Sequence, residues 1–195
     1  MEVAFGIRAH SGWAAVVGIA RCDDGFALSE RCRIELVEQP WAKQPYHAAQ
    51  KLTPALARDT VARGIEAAHA IAAREMRALI RRQQERGHDV IACALLVGTA
   101  MPTWSVDEII AVHFRMHKAE GVLFRDALAS ATDACGLRLV AIPEKQLESQ
   151  ATRAFATPLS RLAKKVATLG KAAGAPWGQD QKEAALAAMV ALKKP

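Results

Sequence analysis

Val3-Ala4-Phe5-Gly6-Ile7-Arg8 is a short apolar run, and Ala9-His10-Ser11-Gly12 follows it with turn-forming residues. Trp13 to Ala20 is a second apolar run rich in Val and Ile. Asp23-Asp24-Gly25 then offers a hairpin turn, because Asp-Gly tolerates the positive φ that tight turns need. Phe26 to Val37 places Ile34 and Leu36 on one face with charged residues between them. Together these stretches predict three antiparallel strands, and the rest of the chain is read against that opening.

Residues 38–55 hold Pro40, Pro45 and Pro54 with Trp41 and Tyr46, a loop too apolar for a pure linker and expected to pack across the body. Val61, Ile65, Ala68, Ala72, Met76 and Leu79 repeat at spacings of three and four, the stripe of a long helix that Gly87 stops. Asp89 to Gly98 contains a continuous apolar run, as expected of a strand buried on both faces. Ser105 and Glu108 form a capping-box pair that starts a second long helix, expected to run to Cys135 and end at Gly136. Leu137 to Ile142 is another buried strand, closed by Pro143. Helical patterns occupy much of 144–173 and then 179–192. The order β-β-β-α-β-α-β-α-α predicts an α/β fold, one mixed sheet with helices on both faces. A single domain over 1–195 is the economical division.

The 195 residues carry 26 Lys+Arg and 20 Asp+Glu, and 51% of them are hydrophobic, which excludes disorder as the main state. No run of 18 uncharged apolar residues occurs, so no membrane span is expected. The first residues enter a strand pattern without the features of a signal peptide, and four scattered cysteines form no CxxC pair. The expected setting is therefore the cytoplasm. P-loop, dinucleotide-binding and HExxH motifs are lacking.

Three stretches give the chain a family likeness: Gly6-Ile7-Arg8-Ala9-His10-Ser11-Gly12; His117-Lys118-Ala119-Glu120-Gly121-Val122 with Cys135-Gly136-Leu137 and Val140 to Leu147; and Asp180-Gln181-Lys182-Glu183-Ala184-Ala185-Leu186-Ala187. In this order they resemble the RNase H-like superfamily, and within it the Holliday-junction resolvase (RuvC-like) branch. The resemblance implies that fold over most of the chain. It also implies a cluster of carboxylates holding two divalent metals over a phosphodiester. Here the pattern departs: Arg8 stands at the position of the first metal-binding acid, and Leu96 to Pro102 contains no acid. Asp180 and Glu183 match the last two. Ordinary two-metal hydrolysis is therefore not expected, and a divalent metal such as Mg2+ is the one cofactor the pattern suggests, with Asp180 and Glu183 as its ligands.

The implied topology brings the ends of the first and central strands to the start of the last helix. That makes a candidate cleft of Arg8, His10, Ser11, Trp177, Gln179, Asp180 and Glu183. Arg8 opposite the acids is either a fork for an anion or phosphate or a structural ion pair that replaces a metal bridge. A second candidate is the trio His113, His117 and Glu120 on one helical face, either metal ligands, with His10 as a further one, or core-edge groups. A third is the acid-free stretch 149–179 with Arg153, Arg161, Lys164, Lys165 and Lys171, which could neutralise nucleic-acid phosphates. The leading expectation is a resolvase-like protein with a degenerate nuclease site that binds DNA or RNA. The alternatives are a binding protein or enzyme for a small anionic or phosphate ligand in the remodelled cleft, and a non-catalytic homo-oligomeric module, such as a homodimer anchored by Trp41, Pro45 and Tyr46.

Overall fold

A computed structural model describes residues 1–23 and 25–193. Five strands, β1 (Glu2–His10), β2 (Trp13–Cys22), β3 (Gly25–Glu35), β4 (Asp89–Val97) and β5 (Arg138–Pro143), form one sheet in the order β3-β2-β1-β4-β5. The first three are antiparallel neighbours, whereas β4 runs parallel to β1 and β5 parallel to β4. β1 is the central strand and is covered on both faces, which is why Val3 to Ile7 reads as unbroken apolar sequence. It extends through His10, so only Ser11 and Gly12 make the turn, with Gly12 at φ 83° where a side chain would be strained. Of the expected Asp23-Asp24-Gly25 turn, Asp24 lies outside the described residues. Cys22 and Gly25 pair across the hairpin.

Helices cover both faces: α1 (Pro45–Ala49), α2 (Pro54–Glu85), α3 (Val106–Ile110), α4 (His113–Ala134), α5 (Leu147–Phe155), α6 (Leu159–Ala173) and α7 (Gln179–Lys193). Alternation along the strands sorts the core into two halves. Val3, Phe5, Ile7, Cys93 and Leu95 pack towards α2 and α4, while Ala4, Val17, Ala92, Ala94 and Leu96 pack towards α7, with α5 and α6 outside it.

Two expected helices are broken. The capping box of Ser105 and Glu108 starts α3, but Val112 takes extended backbone (φ −133°, ψ 113°), a conformation that suits its β-branched side chain, and the helix restarts at His113. Arg115 bridges the break by donating to the Glu108 carbonyl (3.0 Å), one of the acceptors that a helix end leaves open. Ala156 in the left-handed region (φ 47°), followed by Pro158, separates α5 from α6. The 38–55 segment packs across the body as expected, but Pro45 and Tyr46 are buried in the fold instead of forming an exposed dimer anchor, and Trp41 is the aromatic left partly exposed.

α7 packs unusually close to β1. A Cβ on Gly6 would overlap the Ala184 carbonyl and lie 2.9 Å from the Ala188 nitrogen, so the helix backbone rests directly on the strand. Ala184, Ala187, Ala188 and Ala191 are fully buried, and their small side chains permit this approach.

Gly6→Ala is expected to lower unfolding free energy by about 3 kcal/mol, since both backbones would have to separate; denaturant titration followed by circular dichroism measures it. Burial pushes the Cys93 thiol up to about 12, and burial with the nearby Glu30 carboxylate pushes Cys32 up to about 11. Both therefore stay protonated at pH 8. Thiolate-directed labelling followed by mass spectrometry should leave Cys93 and Cys32 unmodified in the folded protein and modify them in denaturant.

Candidate functional site at the start of the last helix

Side chains two apart along a strand share a face, so Arg8 and His10 follow Ala4 and Gly6 onto the α7 side of the sheet. At the start of α7, Asp180 and Glu183 stand three residues apart and project together from the first turn. The Gly6–Ala184 contact sets the distance between these groups.

Arg8 reaches both acids. Its Nε lies 3.0 Å from Asp180 Oδ1, and its Nη1 donates to Glu183 Oε2. The Nε is buried and its N–H is not aimed at an acceptor, so the Asp180 contact is an ion pair without an aligned hydrogen bond. Glu144, just past the end of β5, brings a third carboxylate, with Oε2 3.6 Å from Arg8 Nη2. Its other oxygen accepts from Arg125 Nη2 at 2.8 Å, and Arg125 also donates to the Gly121 carbonyl at 2.9 Å. Two guanidinium groups thus face three carboxylates. The side chains of Arg8, Asp180 and Glu183 are 21%, 28% and 25% exposed, so water screens these pairs only in part.

His10 Nε2 sits 3.0 Å from Asp180 Oδ2, on the oxygen that Arg8 leaves free. The imidazole stacks on Trp13, with centroids 4.2 Å apart and planes 10° from parallel, and Arg33 lies over the Trp13 ring at 4.0 Å. Gln179 donates to Glu183 Oε1 at 2.7 Å. Of the residues expected in the cleft, Arg8, His10, Gln179, Asp180 and Glu183 therefore form one bonded network. Ser11 is exposed in the β1–β2 turn, and the Trp177 indole covers Gly170, where a Cβ would overlap it.

Glu144 lies within the Val140 to Leu147 stretch that carries the family likeness, without a role of its own there, and Arg125 lies outside those stretches. The signal for Glu144 was positional: it follows Pro143 at the end of a strand parallel to β4, and the C-terminal ends of parallel strands share one edge. Arg125 carries no such mark within its helix. Gly98 gives it room, since a Cβ there would lie 3.0 Å from Arg125 Nη1. Glu35 and Glu38 stay outside the network, paired with Arg33 and Arg74.

Beside the network a groove of about 480 Å3 opens between α5, α6 and α7, bordered by Glu144, Leu159, Val166, Lys182 and Glu183. Arg153 on α5 and Arg161, Lys164, Lys165 and Lys171 on α6 are exposed, and none makes an ion pair among the described residues. Leu162 and Val166 anchor α6, so its basic residues are turned outward. His113, His117 and Glu120 are not part of this network. They lie on α4, where they meet His47 and not His10.

No helix among the described residues is long and apolar enough to cross a membrane. No family model matches the sequence, and no curated protein matches it. Among solved structures the chain is similar to T. thermophilus RuvC in complex with Holliday junction substrate, at 12% identity and a TM-score of 0.52, covering 97% of this chain and 92% of that one. It is similar also to a second Thermus thermophilus RuvC structure, at 15% identity and a TM-score of 0.51, covering 96% and 92%. The three antiparallel strands, the two parallel ones that follow and the helices around them make this the RuvC-like RNase H fold.

Proposed function

We propose that the protein binds nucleic acid through a resolvase-like scaffold whose nuclease centre has been converted from a metal site into a fixed ion-pair cluster. The observation that carries this reading is the Arg8 guanidinium lying against Asp180, Glu183 and Glu144. A divalent cation needs carboxylate oxygens free to approach it closely, and here the acids that could supply them are engaged by Arg8 and Arg125. The end of β4, Val97-Gly98-Thr99, adds no acid. A guanidinium carries a permanent charge and matches carboxylates with a planar fork, so it neutralises the acids without offering a metal's Lewis acidity. The donor set does not fit two catalytic metals, and no hydrolytic step is assigned to it.

Nucleic-acid binding rests on the exposed, unpaired cations of α5 and α6. Five such charges, Arg153, Arg161, Lys164, Lys165 and Lys171, can release counterions from a phosphate backbone. The small-anion alternative lacks comparable support, because each nitrogen of Arg8 already faces a carboxylate. An aromatic dimer anchor lacks it as well, because Tyr46 and Pro45 are buried.

Fluorescence polarisation with four-way-junction, duplex and single-stranded DNA and with RNA should show binding that weakens steeply as salt rises. Reversing Arg161, Lys164 and Lys165 to Glu should cut affinity at least ~10-fold at low salt. No cleavage should accompany binding in Mg2+ or Mn2+. Salt-insensitive or absent binding, or cleavage abolished by Asp180→Asn, would defeat the reading. Arg8→Ala leaves three carboxylates facing one another and is expected to lower stability by about 2 kcal/mol, less than for a fully buried pair because water still reaches the site. Millimolar Mg2+ should restore much of that loss in the variant while leaving the parent protein's melting temperature unchanged.

A further inference from the structure

A second cluster lies away from Arg8, where α1 meets the start of α4. One ring nitrogen from each of His47, His113 and His117 lies within 4.8 Å of the other two. His113 Nε2 and His117 Nε2 are 3.0 Å apart, close to the roughly 3.3 Å that separates two nitrogens bound to one tetrahedral Zn2+. The break at Val112 creates this placement: restarting the helix at His113 puts the i, i+4 pair on its first two turns, facing α1.

His47 is held from behind by Glu120. Its Nδ1 lies 2.9 Å from both carboxylate oxygens, and its backbone N–H donates to Oε1 at 3.2 Å. Glu120 is only 2% exposed and pairs with no Lys or Arg among the described residues, so His47 is the basic partner it has there. Because an ionised carboxylate can only accept, the Nδ1 N–H of His47 donates to it and the lone pair of the ring is placed on Nε2. That atom is buried and has no hydrogen-bond partner among the described residues. A carboxylate that fixes the tautomer of a histidine whose other nitrogen is left free is the arrangement that supports metal ligation.

We propose that His47, His113 and His117 bind a single Zn2+ ion, with Glu120 orienting His47 and the fourth position open to water. Three neutral imidazoles suit a borderline transition metal and not Mg2+ or Ca2+, which take oxygen ligands. His113 and His117 are exposed, so the ion has a path in and its remaining position faces solvent. Bound there, it joins α1 to α4. The sequence expectation is thereby altered in two respects: the third nitrogen comes from His47 in place of His10, and Glu120 acts behind a ligand.

Untagged full-length protein, stripped with a chelator, is titrated with Zn2+ by calorimetry and melted with and without the ion. One equivalent should bind at micromolar or better affinity and raise the melting temperature, and Mg2+ should do neither. His113→Ala and His117→Ala, both at exposed positions, should each weaken Zn2+ binding at least ~100-fold with unchanged circular dichroism, and Glu120→Gln should weaken it ~10–100-fold. Co2+ substitution should give tetrahedral d–d bands without thiolate charge-transfer absorption. No Zn2+ uptake, uptake unchanged in the two histidine variants, or a thiolate signature would each overturn the proposal.

Discussion

The missing side chain at Gly6 determines how deeply α7 sinks against the sheet, and the chemistry of the site follows from that depth. With no Cβ in the way, the Ala184 carbonyl and Ala188 nitrogen come to rest on β1, and the alanines of α7 keep the layer thin. Two residues further along β1, Arg8 then meets the first turn of α7 instead of solvent. A thicker interface would separate the guanidinium from Asp180 and Glu183 by more than a hydrogen bond spans. The packing of small residues in the core and the charge pairing at its rim are thus two ends of one contact.

That rim differs from the histidine cluster in both hardness and plasticity. Around Arg8 the donors are carboxylate oxygens, which would suit a hard cation, but two guanidinium groups already supply the positive charge. At His47 the donors are imidazoles, the buried nitrogen is unsatisfied, and the carboxylate stands behind the ring and not in front of it. One site is saturated by the chain's own side chains. The other turns three ring nitrogens towards one another. The positions of acids and bases relative to the point of convergence, more than their number, separate the two.

Much of the architecture could be read from the sequence because it rests on local patterns. The unbroken apolar runs of β1 and β4 mark strands buried on both faces, and the stripe from Val61 to Leu79 marks α2. The pairing of Arg8 with Asp180 and Glu183 could be anticipated because strand parity and helical spacing fix which side chains converge once the topology is assumed. Arg125 and His47 could not, since their roles depend on tertiary approach: Gly98 makes room for a guanidinium, and a five-residue helix brings His47 to Glu120. The interruption at Val112 lies within sequence of good helical periodicity, and a single backbone conformation overrides it, whereas Pro158 marks the break after Ala156 in the sequence itself.

The Arg8–Glu183 contact spans 175 positions, so its two halves leave the ribosome far apart in time. At about 5–20 residues per second that interval is roughly 9–35 s. Throughout it the central strand can pair with β2 and later β4, yet its α7 side stays bare, presenting Ala4, Val17 and Leu96 as an uncovered apolar surface. α7 is therefore the element that closes this face of the sheet, and Ala4, Val17 and Leu96 stay apolar surface until it docks.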